Sequence, residues 1–283
     1  MSAPEPAPEA ARRGPADAGG EIPVTISGAC GRLGRRIVAC LASEPGPRPC
    51  AALESPGCDW IGSPHPECPS LTVTDDVDAA LAGSRALVEA SLPLPAMEHA
   101  EVAAEAGVCV LMAVTGLSPE QDRRLGDLAR RVPVLVAANL SLGMSALVHL
   151  CREAARGLGF DVEIVEMHHT AKRDAPSGTA LMLARAVAEA RGWGGEPLVY
   201  GRSGATGPRP AREIGIHALR GGDVVGEHRV IFAGPGERLE LSHAAGSRDC
   251  FARGVAPAVR FLCGRPPGRY TMDDVWRAAL KGT

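Results

Sequence analysis

Val24-Thr25-Ile26-Ser27-Gly28-Ala29-Cys30-Gly31-Arg32-Leu33-Gly34 is the stretch on which the fold turns. A short apolar run leads into glycines spaced i, i+3 and i+6, and Ile37, Val38 and Leu41 continue at helical spacing. A strand, a glycine turn and a helix start open the β-α-β unit that binds dinucleotides, where glycine lets backbone approach a pyrophosphate closely. The register is not the usual G-x-G-x-x-G, and a glycine turn alone also serves mere packing. The context of strand, turn and helix is what points to a nucleotide.

The same alternation runs on to about Ala138. Apolar runs at 22–27, 50–53, 71–73, 86–88, 108–113 and 134–137 enclose helical patterns at 33–42, 77–81, 95–106 and 119–130. Continuously apolar strands between helices predict a parallel sheet covered on both faces. After a helix near 144–156 the pattern changes to strands at 162–167, 213–219, 224–232 and 238–243, with Gly221-Gly222 and Gly234-Pro235-Gly236 as turn signals. The expected architecture is α/β: a Rossmann-type parallel-sheet domain plus a second α+β domain with an open, mixed or mostly antiparallel sheet. The expected boundaries are a disordered Ala/Pro/Gly tail at 1–20, a dinucleotide domain at 21–138 with 249–283, helical in pattern, returning to it, and a substrate and oligomerisation domain at 139–248. An open sheet leaves edges that an assembly would cover.

Composition narrows the partners. With 45% apolar and 22% charged residues and a net charge of −3, the chain is an ordinary globular one with no pull toward polyanions. Aromatics at 3% leave few stacking platforms, which argues against nucleic acid. No apolar run approaches the ~20 residues of a membrane span. Nine cysteines, an odd count without Cys-x-x-Cys, fit free thiols in a reduced, cytoplasmic compartment. Cys58, His65 and Cys68 fit no common zinc spacing and read as a surface loop, so no metal is expected.

Glu54 ends the second apolar run about 20 residues past Gly34, where an acid accepts hydrogen bonds from adenosine ribose hydroxyls. Ser55-Pro56-Gly57 follows, without a cation for a 2′-phosphate, although Arg32 lies within the glycine loop. The expectation is NADH in preference to NADPH.

The second informative stretch is Glu166-Met167-His168-His169-Thr170-Ala171-Lys172-Arg173-Asp174-Ala175-Pro176-Ser177-Gly178-Thr179-Ala180. Two imidazoles and an ammonium precede a helix start, whose N–H groups and dipole attract anions. That combination suits a small carboxylated substrate that must be protonated. Adjacent histidines on a strand point to opposite faces, so both meet one ligand only where the strand ends or bends. His228 and His243 fall on predicted strands, where a histidine is more often packed than functional. Glu166 receives no role on this reading, and Arg248 could contact substrate or interdomain carboxylates.

Glu166–Ala180 resembles the His-His-x-x-Lys-x-Asp-Ala-Pro-Ser-Gly-Thr-Ala signature of the 4-hydroxy-tetrahydrodipicolinate reductase (dihydrodipicolinate reductase) family. Gly28–Gly34 with Arg32, Ala137-Ala138-Asn139 before Ser141 and Gly143, and Gly222-Asp223-Val224-Val225-Gly226-Glu227-His228 are similar too. The resemblance implies NAD(P)H-dependent reduction of 4-hydroxy-tetrahydrodipicolinate to tetrahydrodipicolinate, in diaminopimelate and lysine biosynthesis. It implies His168 as acid/base, Lys172 as proton donor, and His169, Gly178 and Thr179 on the substrate carboxylates. Gly28, Ala29, Cys30, Gly31, Arg32, Leu33, Gly34 and Glu54 would hold the cofactor's phosphates and ribose. Ala113, Val114, Thr115, Ala137, Ala138, Asn139 and Leu140 would line the nicotinamide side. A homotetramer built through the second sheet is implied as well. The chain departs from the family pattern at Ala113-Val114, at Glu89-Ala90-Ser91-Leu92 and at Leu140, all on the cofactor side. Two rival readings are an amino-acid dehydrogenase of similar architecture and a non-catalytic, nucleotide-sensing paralogue.

Overall fold

The computed structural model describes residues 20–195 and 197–282; of the tail expected at 1–20, residues 1–19 lie outside the described residues. The chain runs β1 (Ile22–Ser27), α1 (Arg32–Ser43), β2 (Pro47–Leu53), β3 (Pro64–His65), β4 (Cys68–Thr74), α2 (Val77–Leu81), β5 (Ala86–Glu89), α3 (Pro93–Glu105), β6 (Cys109–Met112), α4 (Pro119–Leu128) and β7 (Pro133–Val136). These strands form one sheet in the order β7-β6-β5-β1-β2-β4-β3, parallel except for the antiparallel pairing of β3 with β4. Every residue of β5 and β6 is buried, as continuously apolar strands between two helical layers must be. The strand order reverses at β1, which pairs with β2 on one side and β5 on the other. In doubly wound sheets ligands bind at that crevice, outside the carboxyl ends of the strands.

The second unit comprises α5 (Leu142–Gly157), β8 (Asp161–His168), α6 (Gly178–Ala190), β9 (Leu198–Tyr200), β10 (Ile214–Arg220), β11 (Glu227–Gly234) and β12 (Glu237–Ala244). Its sheet order is β12-β11-β8-β10-β9. Val162, Ile164, Glu166 and His168 alternate into the buried face of β8, where α5 and α6 supply Leu147, Cys151, Leu183 and Val187. Glu163, Val165 and Met167 lie half-buried on the other face. There Glu163 binds Arg202, Arg209 and His217.

The second sheet is of the mixed kind read from the sequence, and two other features, the Gly221-Gly222 turn and the C-terminal stretch, differ from that reading. The second sheet is evenly mixed: β11 pairs antiparallel with β8 and β12, while β10 pairs parallel with β8 and β9. The chain leaves β8 through α6, and a crossover over the sheet face returns the next strands in the same direction. Gly221-Gly222 is accordingly not a hairpin, because β8 lies between β10 and β11. Pro235-Gly236 does join a hairpin, with Gly236 at φ +78. The C-terminal stretch is not all helix. After α7 (Asp249–Arg253) and α8 (Val255–Leu262), β13 (Gly268–Tyr270) adds a parallel strand beside β7, and α9 (Met272–Leu280) follows. Val255, Val259, Leu262 and Met272 pack into the core that holds Ile26 and Leu135. No helix among the described residues is long and apolar enough to cross a membrane.

Candidate active site

The nucleotide side assembles from loops at the carboxyl ends of β1, β2, β6 and β7. Gly28 adopts φ +69, and a Cβ there would lie 2.8 Å from the Ala90 carbonyl carbon, so the loop after β1 passes the β5 end only as glycine. Gly34 serves packing instead: a Cβ on it would meet the Gly28 carbonyl oxygen at 2.0 Å. Helix α1 starts at Gly31 with no side-chain cap, which leaves first-turn N–H groups for an anion. The Glu54 carboxylate is held by the Cys30 N–H at 2.9 Å and the Ser55 N–H at 3.0 Å, aimed back at the glycine loop. Burial, then Cys58 and Glu54, push the Cys30 thiol up to about 11, so it stays neutral beside that carboxylate. A glycine-only approach, an uncapped helix start and an acid at the second strand's end fit a dinucleotide.

Arg32, Thr115 and Ala138 are exposed along this crevice, Ala113 and Asn139 half-buried. Val114, Ala137 and Leu140 are buried. Leu140 belongs to the first core, and its carbonyl is so close to Gly254 that a Cβ there would lie 1.8 Å away. Beneath the crevice is a network that sequence reasoning missed: buried Glu89 accepts from His99 Nδ1 at 2.8 Å and the Ser91 hydroxyl at 2.6 Å, and His99 also meets Ser27 Oγ at 3.1 Å. His65 is buried rather than on a surface loop, and spends its ring nitrogens on the Ala29 carbonyl and the Glu67 N–H. It cannot join Cys58 and Cys68 on a metal.

The substrate side is organised by Glu166, whose side chain is 0% exposed. It accepts His168 Nδ1–H at 2.6 Å, the Ser177 N–H at 3.0 Å and both Arg220 end nitrogens at 2.8 and 2.9 Å. Burial acts to raise its carboxyl, but Arg220, His168 and Ser177 outweigh that and hold it below the ordinary carboxylate range. Because a carboxylate only accepts, His168 keeps its proton on Nδ1 and turns Nε2 toward Gly226, where a Cβ would approach at 2.9 Å. Gly226 is the residue that makes room for that ring.

His228 lies edge-on to His168, ring centroids 5.2 Å apart. Burial, and then the neighbouring His168, push His228 down to about 4, so it is neutral at physiological pH. Ser177 Oγ accepts the Ala180 N–H as N-cap of α6 and is hydrogen-bonded to His228 Nε2 at 3.0 Å. With Ser177 spent on Ala180, the Gly178 and Thr179 N–H groups have no side-chain cap and remain at the helix start for a carboxylate. His169 sits half-buried just past the end of β8, and its carbonyl accepts the Lys172 N–H at 3.1 Å. Lys172 Nζ meets Asp174 Oδ1 at 2.8 Å, with side-chain exposures of 20% and 59%. The exposed Asp174 can yield its place to another carboxylate without being stranded.

The two halves touch. Asn139 Nδ2, after β7, reaches Thr179 Oγ1 at 3.4 Å. Within the second unit, Ser141, the N-cap of α5, meets His243 Nε2 at 3.2 Å. Gly143 is within 2.9 Å, at Cβ, of the His243 ring. Arg248 is exposed just before α7. Glu166 and Arg220 are the residues that sequence reasoning missed. Glu166 shares a strand face with His168, a signal that alternation carries. Arg220 arrives only through the pairing of β10 with β8, opposite His168.

The family descriptions "Dihydrodipicolinate reductase, N-terminus" and "Dihydrodipicolinate reductase, C-terminus" match residues 22–140 and 143–276. The chain is 44% identical over 260 residues to the 4-hydroxy-tetrahydrodipicolinate reductase of Anaeromyxobacter dehalogenans (strain 2CP-1 / ATCC BAA-258), covering 89% of this chain and 96% of that protein. It is 43% identical over 261 residues to the enzyme of the same name from Thiobacillus denitrificans, covering 90% and 98%. Among solved structures, the dipicolinate-bound dihydrodipicolinate reductase from Paenisporosarcina sp. TG-14 superposes with a TM-score of 0.74 at 25% identity, over 89% of this chain and 97% of that one.

Proposed function

The chain belongs to the dihydrodipicolinate reductase family, and we propose that it performs that family's reaction through the two half-sites described above. It is an NAD(P)H-dependent oxidoreductase that reduces 4-hydroxy-tetrahydrodipicolinate to tetrahydrodipicolinate, the 4-hydroxyl leaving as water, in diaminopimelate and lysine biosynthesis. When bound, the nicotinamide supplies the hydride. The chain's own residues hold the dicarboxylate and deliver a proton.

The Gly178 and Thr179 N–H groups at the start of α6, with His169, take the substrate carboxylates. The Lys172 ammonium exchanges Asp174 for the substrate and donates a proton as negative charge develops on the ring, the point at which a placed cation helps most. His168, its Nδ1 anchored by Glu166, presents Nε2 as the second acid/base. The observation that supports this division best is the Asn139–Thr179 contact, because it sets the end of the nicotinamide track against the substrate-binding helix start. Freshly generated dihydrodipicolinate-synthase product should drive NADH oxidation by the wild-type protein. Tight NADH binding without turnover of that product would favour a nucleotide-sensing protein, and turnover of an amino acid with NAD⁺ would favour a dehydrogenase.

NADH is the preferred cofactor on this reading, because Glu54 faces the ribose and repels a 2′-phosphate. Glu54→Gln should shift the ratio of kcat/KM values for NADH and NADPH toward NADPH by about 10–100-fold, the scale of one hydrogen bond to a charged group. A wild type that already uses NADPH as well as NADH would sink the preference. We place the enzyme in the cytoplasm, as its nine thiols suggest. It assembles as a homotetramer through the outer face of the second sheet, where Leu219 is exposed beside half-buried Val165, Met167 and Ile231.

A further inference from the structure

We propose that Cys30, Glu54 and Cys58 form a zinc-binding site inside the cofactor's ribose cradle, so that zinc and the nicotinamide cofactor exclude each other. This rests on the reading that Glu54 holds the cofactor ribose. Among the described residues, one grouping of Cys, His, Asp or Glu side chains has geometry able to hold a metal ion. The two sulfurs and a Glu54 oxygen all lie within 4.8 Å of one another.

The three ligands come from separate places. Cys30 sits in the loop between β1 and α1, and Glu54 follows β2. Cys58 is carried back toward Glu54 by a turn encoded in Ser55-Pro56-Gly57-Cys58. The Cys58 N–H reaches the Ser55 carbonyl at 3.2 Å, and Gly57 adopts φ +84. Proline followed by a glycine of positive φ is the pattern of a type II turn. The Glu54 carboxylate is already oriented toward Cys30 by the Cys30 N–H.

The donor set selects the metal. Thiolates favour zinc over magnesium or calcium, and zinc readily takes three protein ligands with water in the fourth position. Tetrahedral zinc, about 2.3 Å from sulfur and about 2.0–2.2 Å from a carboxylate oxygen, brings its ligand atoms to about 3.5–3.8 Å apart. Side-chain movements of about 1 Å therefore close the site. Each thiol releases its proton to solvent as its sulfur–zinc bond forms, and no electrons move. His65 does not complete the set, because both its ring nitrogens are committed. A bound ion takes the carboxylate that the ribose needs and lies against the loop that approaches the pyrophosphate. Cofactor and metal therefore compete.

The test uses the full-length protein without cofactor, titrated with Co²⁺ as a spectroscopic substitute for zinc. A thiolate-to-cobalt absorption band is expected in the wild type and in Cys50→Ser, whose thiol lies outside the cluster, and is lost in Cys58→Ser. NADH should bleach the band. In turnover, zinc should raise the apparent KM for NADH and leave kcat unchanged. Cys58→Ser should keep wild-type kcat and KM while raising the zinc concentration for half-inhibition by at least about 100-fold, beyond what loss of an outer-shell partner costs. No band, or a band that survives Cys58→Ser, overturns the site. A Cys58-dependent band indifferent to NADH overturns the exclusion, and with it the placement of the cofactor ribose at Glu54. The turnover of the dihydrodipicolinate-synthase product tests the reductase reading separately.

Discussion

Lys172→Ala is expected to lower kcat by about 10²–10⁴-fold, the usual contribution of a positioned proton donor. The side chain is only 20% exposed, lies a few residues past the end of β8, and pairs with the exposed Asp174 at 2.8 Å. That pairing, before any other influence, holds the Asp174 carboxyl below its ordinary range. The amine is thus held in place by an exposed and exchangeable partner. Loss of the amine should leave NADH affinity and thermal stability close to wild type, because Lys172 contributes to neither core. Lys172→Arg separates charge from proton delivery: guanidinium still attracts a carboxylate but does not give up a proton near neutrality. KM for substrate should then stay near wild type while kcat remains low. A Lys172→Ala enzyme within about tenfold of wild-type kcat would remove Lys172 from the role of donor.

Glu166→Ala is the change expected to cost most in stability, about 1.5–3 kcal/mol, the scale of hydrogen bonds to a charged group, because it takes from half-buried Arg220 its carboxylate partner. The loss reaches further than one pair, since the same carboxylate holds His168 Nδ1 and the Ser177 N–H at the start of α6. Activity should fall with stability. Glu166→Leu with Arg220→Met distinguishes the two effects: replacing both charges by apolar groups should recover much of the melting temperature while kcat stays low, because His168 remains unanchored. Recovery of both would make Glu166 a packing residue only. The pH dependence has a definite sign. Glu166 is held below the ordinary carboxylate value, so its contribution is complete above the unfolded value of about 4.3 and is lost as pH falls through the lower folded one. In Glu166→Ala, that part of the acid sensitivity should be missing from a series of urea midpoints measured against pH.

The legibility of the molecule differed by element. β1 is the run read from its pattern alone, Ile22–Ser27, because a strand buried on both faces carries no charged residue and is mostly apolar, with Thr25 and Ser27 the small polar exceptions. The Pro235-Gly236 hairpin was legible for a local reason too: a glycine of positive φ is a property of one residue. Gly221-Gly222 misled, because the same glycine signal serves a hairpin and a loop that spans a neighbouring strand. β13 was invisible as a strand, since Gly268–Tyr270 is three residues long and becomes one only by pairing with β7.

At the catalytic centre the same division applies. The sequence by itself determined the dinucleotide fold, the helix start at Ser177-Gly178-Thr179 and the clustering of His168, His169 and Lys172 before it, since each rests on spacing within a few residues of chain. Only the tertiary structure decided which partners those donors have. Arg220 meets Glu166 because β10 runs parallel beside β8, His228 meets Ser177 because β11 lies on the other side, and Asn139 meets Thr179 because the two units pack there. Strand register is set by the packing of whole sheets against α5 and α6. No window of sequence containing Glu166 also contains the residues that make it the centre of the site.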